Sequence, residues 1–499
     1  MNQAGIGSQN YPGVGGLFCL ALAAAGVAAL HAGIEARDLN ADGPTYLLSA
    51  LSSGGLALIE PGRMTVQFLQ QSLSFAGYLL GVTDLLTLGR LLTFGMQGWP
   101  VLLTGLCWFA LPRNEKTWIL GPLLNIAVVI PAASFQGIGE GMIASCLMWL
   151  LFFLVEFDSP GRFRVLAAIA LAGACFTLHE AAFPFLFGIA LLAGARAREA
   201  RGFRRMCFIL VALLAIAAAI HLLYLVIYPR DAINRGAFLF SLFSDAWVAI
   251  TPEGAGVNLP AFAGLAIGLC LLLVHFPVHR SEEQRQRLLL RASWWSIGFF
   301  AVVAGLFLAA PEWVTISHTF HAARGLPIMA TMVMAGAIHL LRRAGRPPDR
   351  LAPIPIRAVL VAIIPMHLVM QTVLTTQWAS YRHDLSDLIA TRNGIIAADT
   401  ASAILDPQHT YLRGALVAAW SIQPLSIVLA PEGRVRSIVD ARPNIAWKPY
   451  RLDDPATLPL CTRGLDWSPY LTALRYAGAD PKAGCLAGSL AAVRIPRAF

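Results

Sequence analysis

Apolar runs of about twenty residues recur along the chain, each long enough to cross a hydrocarbon layer as a helix. They fall at approximately 14–31, 85–111, 117–134, 138–156, 164–194, 206–228, 259–278, 292–311, 325–341 and 355–377. The stretch 164–194 begins and ends at arginines, and its length suits two short helices joined at Thr177-Leu-His-Glu-Ala. Counting it twice predicts about eleven membrane-spanning helices. The expected fold class is therefore a mainly α, polytopic integral membrane protein.

The polar positions between these runs are not uniform. Basic residues collect in alternate gaps: Arg113 with Lys116, Arg162 with Arg164, then 196–205, 280–291 and 342–357. Under the positive-inside rule these gaps face the cytoplasm, which places the N-terminus inside and the C-terminal region outside. The expected setting is a bacterial inner membrane with a periplasmic C-terminal region. The first run has no basic residue before it and no small-residue cleavage site after it, so it is expected to be a retained helix.

Two exterior segments stand out. In the first, 32–84, the stretches 44–58 and 64–80 read as helices parallel to the membrane at its interface, although 64–80 could instead dip into the protein. The second of these alternates apolar residues with Gln67, Gln70, Gln71 and Ser72. The other exterior segment, 378–499, is long enough for a small exterior domain, giving a division into a transmembrane module, 1–377, and that domain. Within it, 412–430 is apolar enough to span, but Gln423-Pro424 at its centre favours a membrane-hugging or buried segment. No internal repeat or low-complexity linker is evident.

Composition narrows the class. A chain 57% hydrophobic and only 13% charged, with mean hydropathy +0.64, is not a soluble enzyme. The formal charge of +9 lies in loops and fits topology and anionic lipid headgroups; no nucleic-acid partner is expected. Eight cysteines without a CxxC pair offer no metal or redox motif. Cys19, Cys107, Cys146, Cys175, Cys207 and Cys270 sit in apolar stretches as small hydrophobes. Cys461 and Cys485 lie in the polar C-terminal region and are expected to pair if that region is exported.

The candidate chemistry lies on the predicted outer side. Glu35, Asp38 and Asp42 follow closely on the first helix. A carboxylate at an apolar boundary has its pKa raised by desolvation, which suits proton abstraction near neutrality. The plain alternative is a set of solvated loop acids, one of them paired with Arg37. His179 and Glu180 stand at the turn between two short helices, where an ionisable pair so near hydrocarbon is a functional candidate. Glu140, in Phe135-Gln-Gly-Ile-Gly-Glu-Gly, opens another span, and its neighbouring glycines permit close backbone approach. No Lys-Ser/Thr follows that run, so it is not a nucleotide loop. Arg63, Arg230, Arg235 and Arg324 are the few exterior bases available to hold a phosphate. His318 and His321, three apart, could join Arg324 in that role, or a divalent cation with Glu180; no ligand spacing assigns a metal.

In this arrangement the chain resembles the membrane-integral glycosyltransferases of the C-type fold (GT-C). That resemblance rests on the acidic first exterior loop and the acidic turn Thr177-Leu-His-Glu-Ala, and covers roughly 10–380 in topology. It implies transfer of a sugar from a polyprenyl phosphate or pyrophosphate donor to a glycan, lipid or protein acceptor. Asp38 would be the base, with Glu35 and Asp42 as rivals. The chain departs from the pattern in lacking an Asp-Asp or Asp-Glu pair in the first loop and a Trp-Trp-Asp motif. Two other functions compete: a transporter or flippase working through Glu140 and Glu180, and an exterior polysaccharide ligase or acyltransferase.

Overall fold

The computed structural model describes residues 14–40, 42–52, 55–58, 61–133, 140–157, 162–179, 182–199, 204–227, 320–343, 353–391, 396–397, 401, 404–405, 422–429 and 438–439. These residues are mainly helical, as the hydropathy pattern predicts. The expected spans 259–278 and 292–311, together with Glu180, Arg230, Arg235, His318, Cys461 and Cys485, lie outside the described residues.

Helix α1, Val14–Ile34, is apolar on every face. It stops before Ala36, which takes a left-handed conformation with φ of 51°. That conformation breaks the helical hydrogen-bond ladder and costs a non-glycine residue about 1–2 kcal/mol. A 3₁₀ turn, Arg37–Leu39, follows, and the chain then folds back into α2, Gly43–Ser52. A Cβ at position 43 would run into the Asp38 carbonyl, so this bend requires glycine. A second 3₁₀ turn, Pro61–Arg63, leads into α3, Met64–Leu79. Asp84 caps α4, Leu85–Ala110, by accepting the Thr87 N–H at 2.8 Å.

Over the expected span 117–134 the described backbone stays helical to Ala133 but changes its winding. A 3₁₀ segment, Arg113–Ile119, precedes α5, Leu120–Leu124; a π-helical turn, Asn125–Val129, separates it from α6, Ile130–Ala133. Pro131 has no N–H to give to the Ala127 carbonyl four residues earlier. The His367 ring of a distant segment lies near that carbonyl. Next come α7, Glu140–Glu156, and α8, Arg162–Ala174, which tightens into a 3₁₀ turn at Cys175–Thr177. Then follow α9, Phe183–Glu199, α10, Arg204–Ile227, α11, Phe320–Arg343, α12, Pro353–Thr391, and the short α13, Ile422–Val428. The stretch 164–194 is thus a helix pair. Strands Ile396–Ala397 and Ile438–Val439 pair in parallel.

Helix α7 is the hub, packed against α3, α4, α8, α9 and α11. Its apolar residues point in all directions, and a helix of that kind belongs inside a bundle. Trp149, Phe152, Phe153 and Phe157 build the core around its lower half, several of them edge to face. A second core joins Leu39, Leu47, Leu88, Leu92, Trp378, Tyr381, Leu385 and Leu425. It explains why α12 runs past residue 377, the expected domain boundary. Leu374, Trp378, Tyr381, Leu385 and Leu388 repeat at helical spacing onto this core, so nothing ends the helix there. The described part of 412–430, α13, is likewise buried against α2, α4 and α12.

Helix α3 packs its polar face into the protein, the alternative open for 64–80 beside an interfacial helix. An interfacial helix puts its apolar face into lipid and its polar face into water. Here Gln67, Gln70, Gln71 and Ser74 face the protein interior, while Met64, Phe68, Leu73 and Leu79 are exposed. The four polar residues recur at i, i+3, i+4 and i+7, which makes one face, and Gln67, Gln71 and Ser74 spend their side chains on internal hydrogen bonds. Exposed apolar side chains recur on other helices too, among them Val27, Phe109, Phe163, Leu191, Ile216 and Val333. Among the described residues one helix, Val14–Ile34, is long and apolar enough to cross a membrane by length and composition alone. Phe163–Thr177, Phe183–Arg196, Phe208–Leu223 and Pro327–Arg342 are apolar but shorter.

Candidate functional site

Two buried polar clusters each contain sequence candidates, and α2 touches both. The first is built on the turn after α1. Asp38 is 2% exposed, although it belongs to a loop rich in charge. Its two carboxylate oxygens accept the Gln97 amide at 3.0 and 2.7 Å, and its backbone N–H donates to Thr93 Oγ1 at 3.2 Å. Thr93 and Gln97, four apart, share one face of α4. The Arg37 guanidinium lies beside Asp38, Nε to Oδ1 at 4.0 Å, and donates to Gln371 Oε1 and, at 3.2 Å, to Thr375 Oγ1. Burial pushes the Asp38 carboxyl above its ordinary value, against the pull of Arg37 and of the Gln97 amide. The same burial pushes Arg37 down, opposed by Asp38.

The rival carboxylates stand elsewhere. Glu35 accepts Arg382 Nη2 at 2.6 Å, while its backbone carbonyl accepts the Trp378 indole N–H at 2.9 Å. Its side chain is 23% exposed, so this is a rim ion pair tying α12 to the end of α1. Asp42 is half-buried, and its carbonyl accepts the Tyr46 N–H at 3.0 Å in the first turn of α2. Of the three, Asp38 alone sits inside.

The second cluster surrounds Glu140 at the N-terminus of α7, where the helix dipole favours a carboxylate. Arg63 Nη1 donates to Glu140 Oε2 at 2.7 Å, while the Gln67 amide at 3.0 Å and the Tyr46 hydroxyl at 3.1 Å donate to Oε1. His179 is buried within electrostatic range of the same carboxylate. Thr65 fixes that proximity: its hydroxyl donates to the Ala174 carbonyl at 2.7 Å and meets the Thr177 hydroxyl at 2.9 Å. The turn carrying His179 is thereby pinned to the first turn of α3. Three sequence candidates from distant segments, Arg63, Glu140 and His179, stand together. Arg63 is committed to Glu140, which leaves it poorly suited to the phosphate-holding role expected of it. His321 and Arg324 lie in the first two turns of α11. Among the described residues no group of three or more His, Cys, Asp or Glu stands close enough to hold a metal ion.

Sequence reasoning missed Tyr46, Thr93, Gln97, Gln371, Thr375 and Arg382. A usable signal exists for some of them. Thr93 and Gln97, and likewise Gln371 and Thr375, are polar pairs at i, i+4 within otherwise apolar runs. No family model matches the chain, and no curated protein matches it.

Proposed function

We propose that this chain is a polytopic membrane glycosyltransferase of GT-C type, moving a sugar from a polyprenyl phosphate or pyrophosphate to a hydroxyl on an envelope glycan, lipid or protein. The observation that carries the reading is Asp38: a first-loop carboxylate taken out of water beside Arg37, held by the Gln97 amide while Thr93 fixes its backbone N–H, with its pKa raised. A fixed carboxylate with a raised pKa suits general-base catalysis. In the reaction the acceptor hydroxyl gives its proton to Asp38 as its oxygen attacks the anomeric carbon. The bond from that carbon to the phosphate oxygen breaks, and the phosphate leaves with the electron pair. A single displacement inverts the anomeric centre. Arg230, Arg235 and Arg324 are the candidates for the phosphate.

Exposed apolar side chains on α1, α4, α8, α9, α10 and α11 support a lipid-facing perimeter. Basic residues from separate gaps support the orientation. Arg164, Arg196 and Arg342 all reach the C-terminal end of α7, opposite Glu140. With that end in the cytoplasm, Arg63, Glu140 and His179 face the exterior, where nucleotide sugars are absent and lipid-linked donors present. One observation favours transport as a second reading. His367, Gln371 and Thr375 form a buried polar stripe leading along α12 from Arg37, and intramembrane ionisable residues often mark ion routes.

The test is purified protein in liposomes supplied with a panel of polyprenyl-phosphate sugars and hydroxyl acceptors. Sugar transfer by the parent, lost in Asp38→Asn, is the expected result. Substrate flux across the bilayer without transfer would replace this reading with the transport one.

A further inference from the structure

Three residues of α4 grip the turn that carries Asp38, and at i, i+4 and i+8 they share one face of the helix. Gly89 leaves room for the Leu39 side chain, which a Cβ there would strike. The Thr93 hydroxyl accepts the Asp38 N–H at 3.2 Å and donates to the Gly89 carbonyl at 3.1 Å. Gln97 completes the row. Its amide nitrogen reaches both carboxylate oxygens of Asp38, Oδ1 at 3.0 Å and Oδ2 at 2.7 Å, so the carboxylate cannot rotate without losing a contact. A fold that had only to neutralise a buried carboxylate would set a cation squarely on it. Here the Arg37 Nε stands 4.0 Å from Oδ1, while its Nη1 donates to Gln371 and Thr375 of α12. A bidentate arginine would strongly favour the ionised carboxylate and weaken it as a base; a neutral amide fixes the same two oxygens with less effect on basicity.

We infer that Gln97 is a positioning residue for the transfer, holding the Asp38 carboxylate at the rotation from which it takes the acceptor's proton. A carboxylate offers about four lone-pair sites and the amide takes two at most, so capacity to accept a proton remains. The inference rests on the transfer reading and deepens it by naming what aims the base. The turn is packed by α1, α2, α4 and α12, and the charge that acts on Asp38 is Arg37. Of the other charged or titratable groups on those elements, Glu35 and Arg382 pair with one another at 2.6 Å, Arg90 donates to the Ile34 carbonyl at 2.9 Å, and His367 stands one turn before Gln371 on α12. Removing the Gln97 amide has two effects. The carboxylate is free to rotate, and its ionised form loses a donor, which raises further a pKa that burial already raises. Because the base must be ionised, the acid-side limb of the rate then moves to higher pH.

The experiment measures kcat, KM for the donor lipid and the pH profile of transfer by the full chain in the liposomes described above. The parent is compared with Gln97→Leu and the straighter Gln97→Met, both close to glutamine in volume. In both variants kcat should fall about 10–100-fold, with KM for the donor little changed and the acid limb moved up by about one unit. An unmoved limb in the folded variants overturns the inference, because a side chain that merely packs changes the folded fraction and not the titration of the base. Failure of both variants to fold also overturns it, since the amide then serves the fold. Either result leaves the transfer reading standing where the parent transfers sugar and Asp38→Asn does not. No transfer by the parent with any donor of the panel removes the transfer reading, and the role of Gln97 falls with it.

Discussion

The two ends of α7 carry one glutamate each and treat it in opposite ways. Glu140 opens the helix, where the dipole already favours a negative charge, and its company is one arginine, one amide, one phenol and a nearby imidazole. Glu156 closes the helix, where the dipole opposes it, and it is surrounded by bases. His339 meets Oε2 at 2.9 Å, Arg342 bonds Oε1, and Arg196 stands 3.9 Å away. Arg342 also forks onto Glu115 at 2.9 Å through both Nε and Nη2 and lies over the Phe157 ring. The same arginines cap the helix: Arg164 donates to the Phe153 and Leu154 carbonyls, and Arg196 and Arg342 to that of Glu156. Four final carbonyls have no partner within any helix, so capping by arginines from three other helices locks α8, α9 and α11 to the hub. The contrast separates an end where several bases crowd one carboxylate from an end where one arginine, an amide and a phenol hold it.

That contrast can be broken most sharply at Asp38. Asp38→Asn preserves size and the backbone bond to Thr93, yet removes the proton acceptor. Transfer should fall by about 10²–10⁴-fold with the unfolding temperature little changed. The parent's rate should decline on the acid side through a pKa above the ordinary aspartate value, because the ionised form is needed and burial raises its pKa. A limb within the ordinary aspartate range would separate Asp38 from the proton transfer.

At the opposite end the effect should be on stability. Glu156→Gln leaves Glu115 as the carboxylate of Arg342 and removes the carboxylate facing Arg196 and His339. The loss should be about 3 kcal/mol, the low end for breaking a buried pair because Arg196 and His339 are partly exposed, with transfer by the folded fraction intact. Unfolding in denaturant reads the loss directly; an unchanged midpoint would make the arginine cluster ornamental.

A double-mutant cycle sharpens the comparison. Arg63→Met or Glu140→Gln alone leaves one charge buried without its counter-charge, whereas the two together remove the pair cleanly. The coupling should exceed about 1 kcal/mol, and the double variant should be more stable than the worse single one. Additive losses would mean that the two charges do not depend on one another. The smallest effect belongs to Asp84, an exposed acid of the same first loop. Asp84→Ala should cost about 1 kcal/mol through the lost α4 cap and leave transfer untouched. A large activity loss there would undo the distinction between buried and solvated loop acids.

Particular residues show how much was legible beforehand. Helix α1 could be read almost to its end, since twenty apolar residues leave a chain no cheaper way to satisfy its backbone. The pair α8 and α9 followed from arginines at both ends of 164–194. The π-helical turn inside 117–134 was harder to see, because no local pattern marks where an extra residue enters a helical turn. For the site, Asp38, Arg63, Glu140 and His179 were nameable from residue type and place. Which face of α3 turns inward was not: its glutamines form one face in any setting, and only neighbours decide whether that face meets water or protein.

The sequence by itself determined the helical character, the candidate carboxylates and the alternation of basic gaps, because each depends on sums over neighbouring residues. Tertiary structure alone decided that Asp38 is buried while Glu35 pairs with Arg382 at the rim. It alone committed Arg63 to Glu140, 77 residues away, and joined Arg37 to Gln371 across 334. Local sums carry no information about such partners. A charge is held by whichever groups the packed helices bring within about 3 Å of it, and that depends on which faces meet.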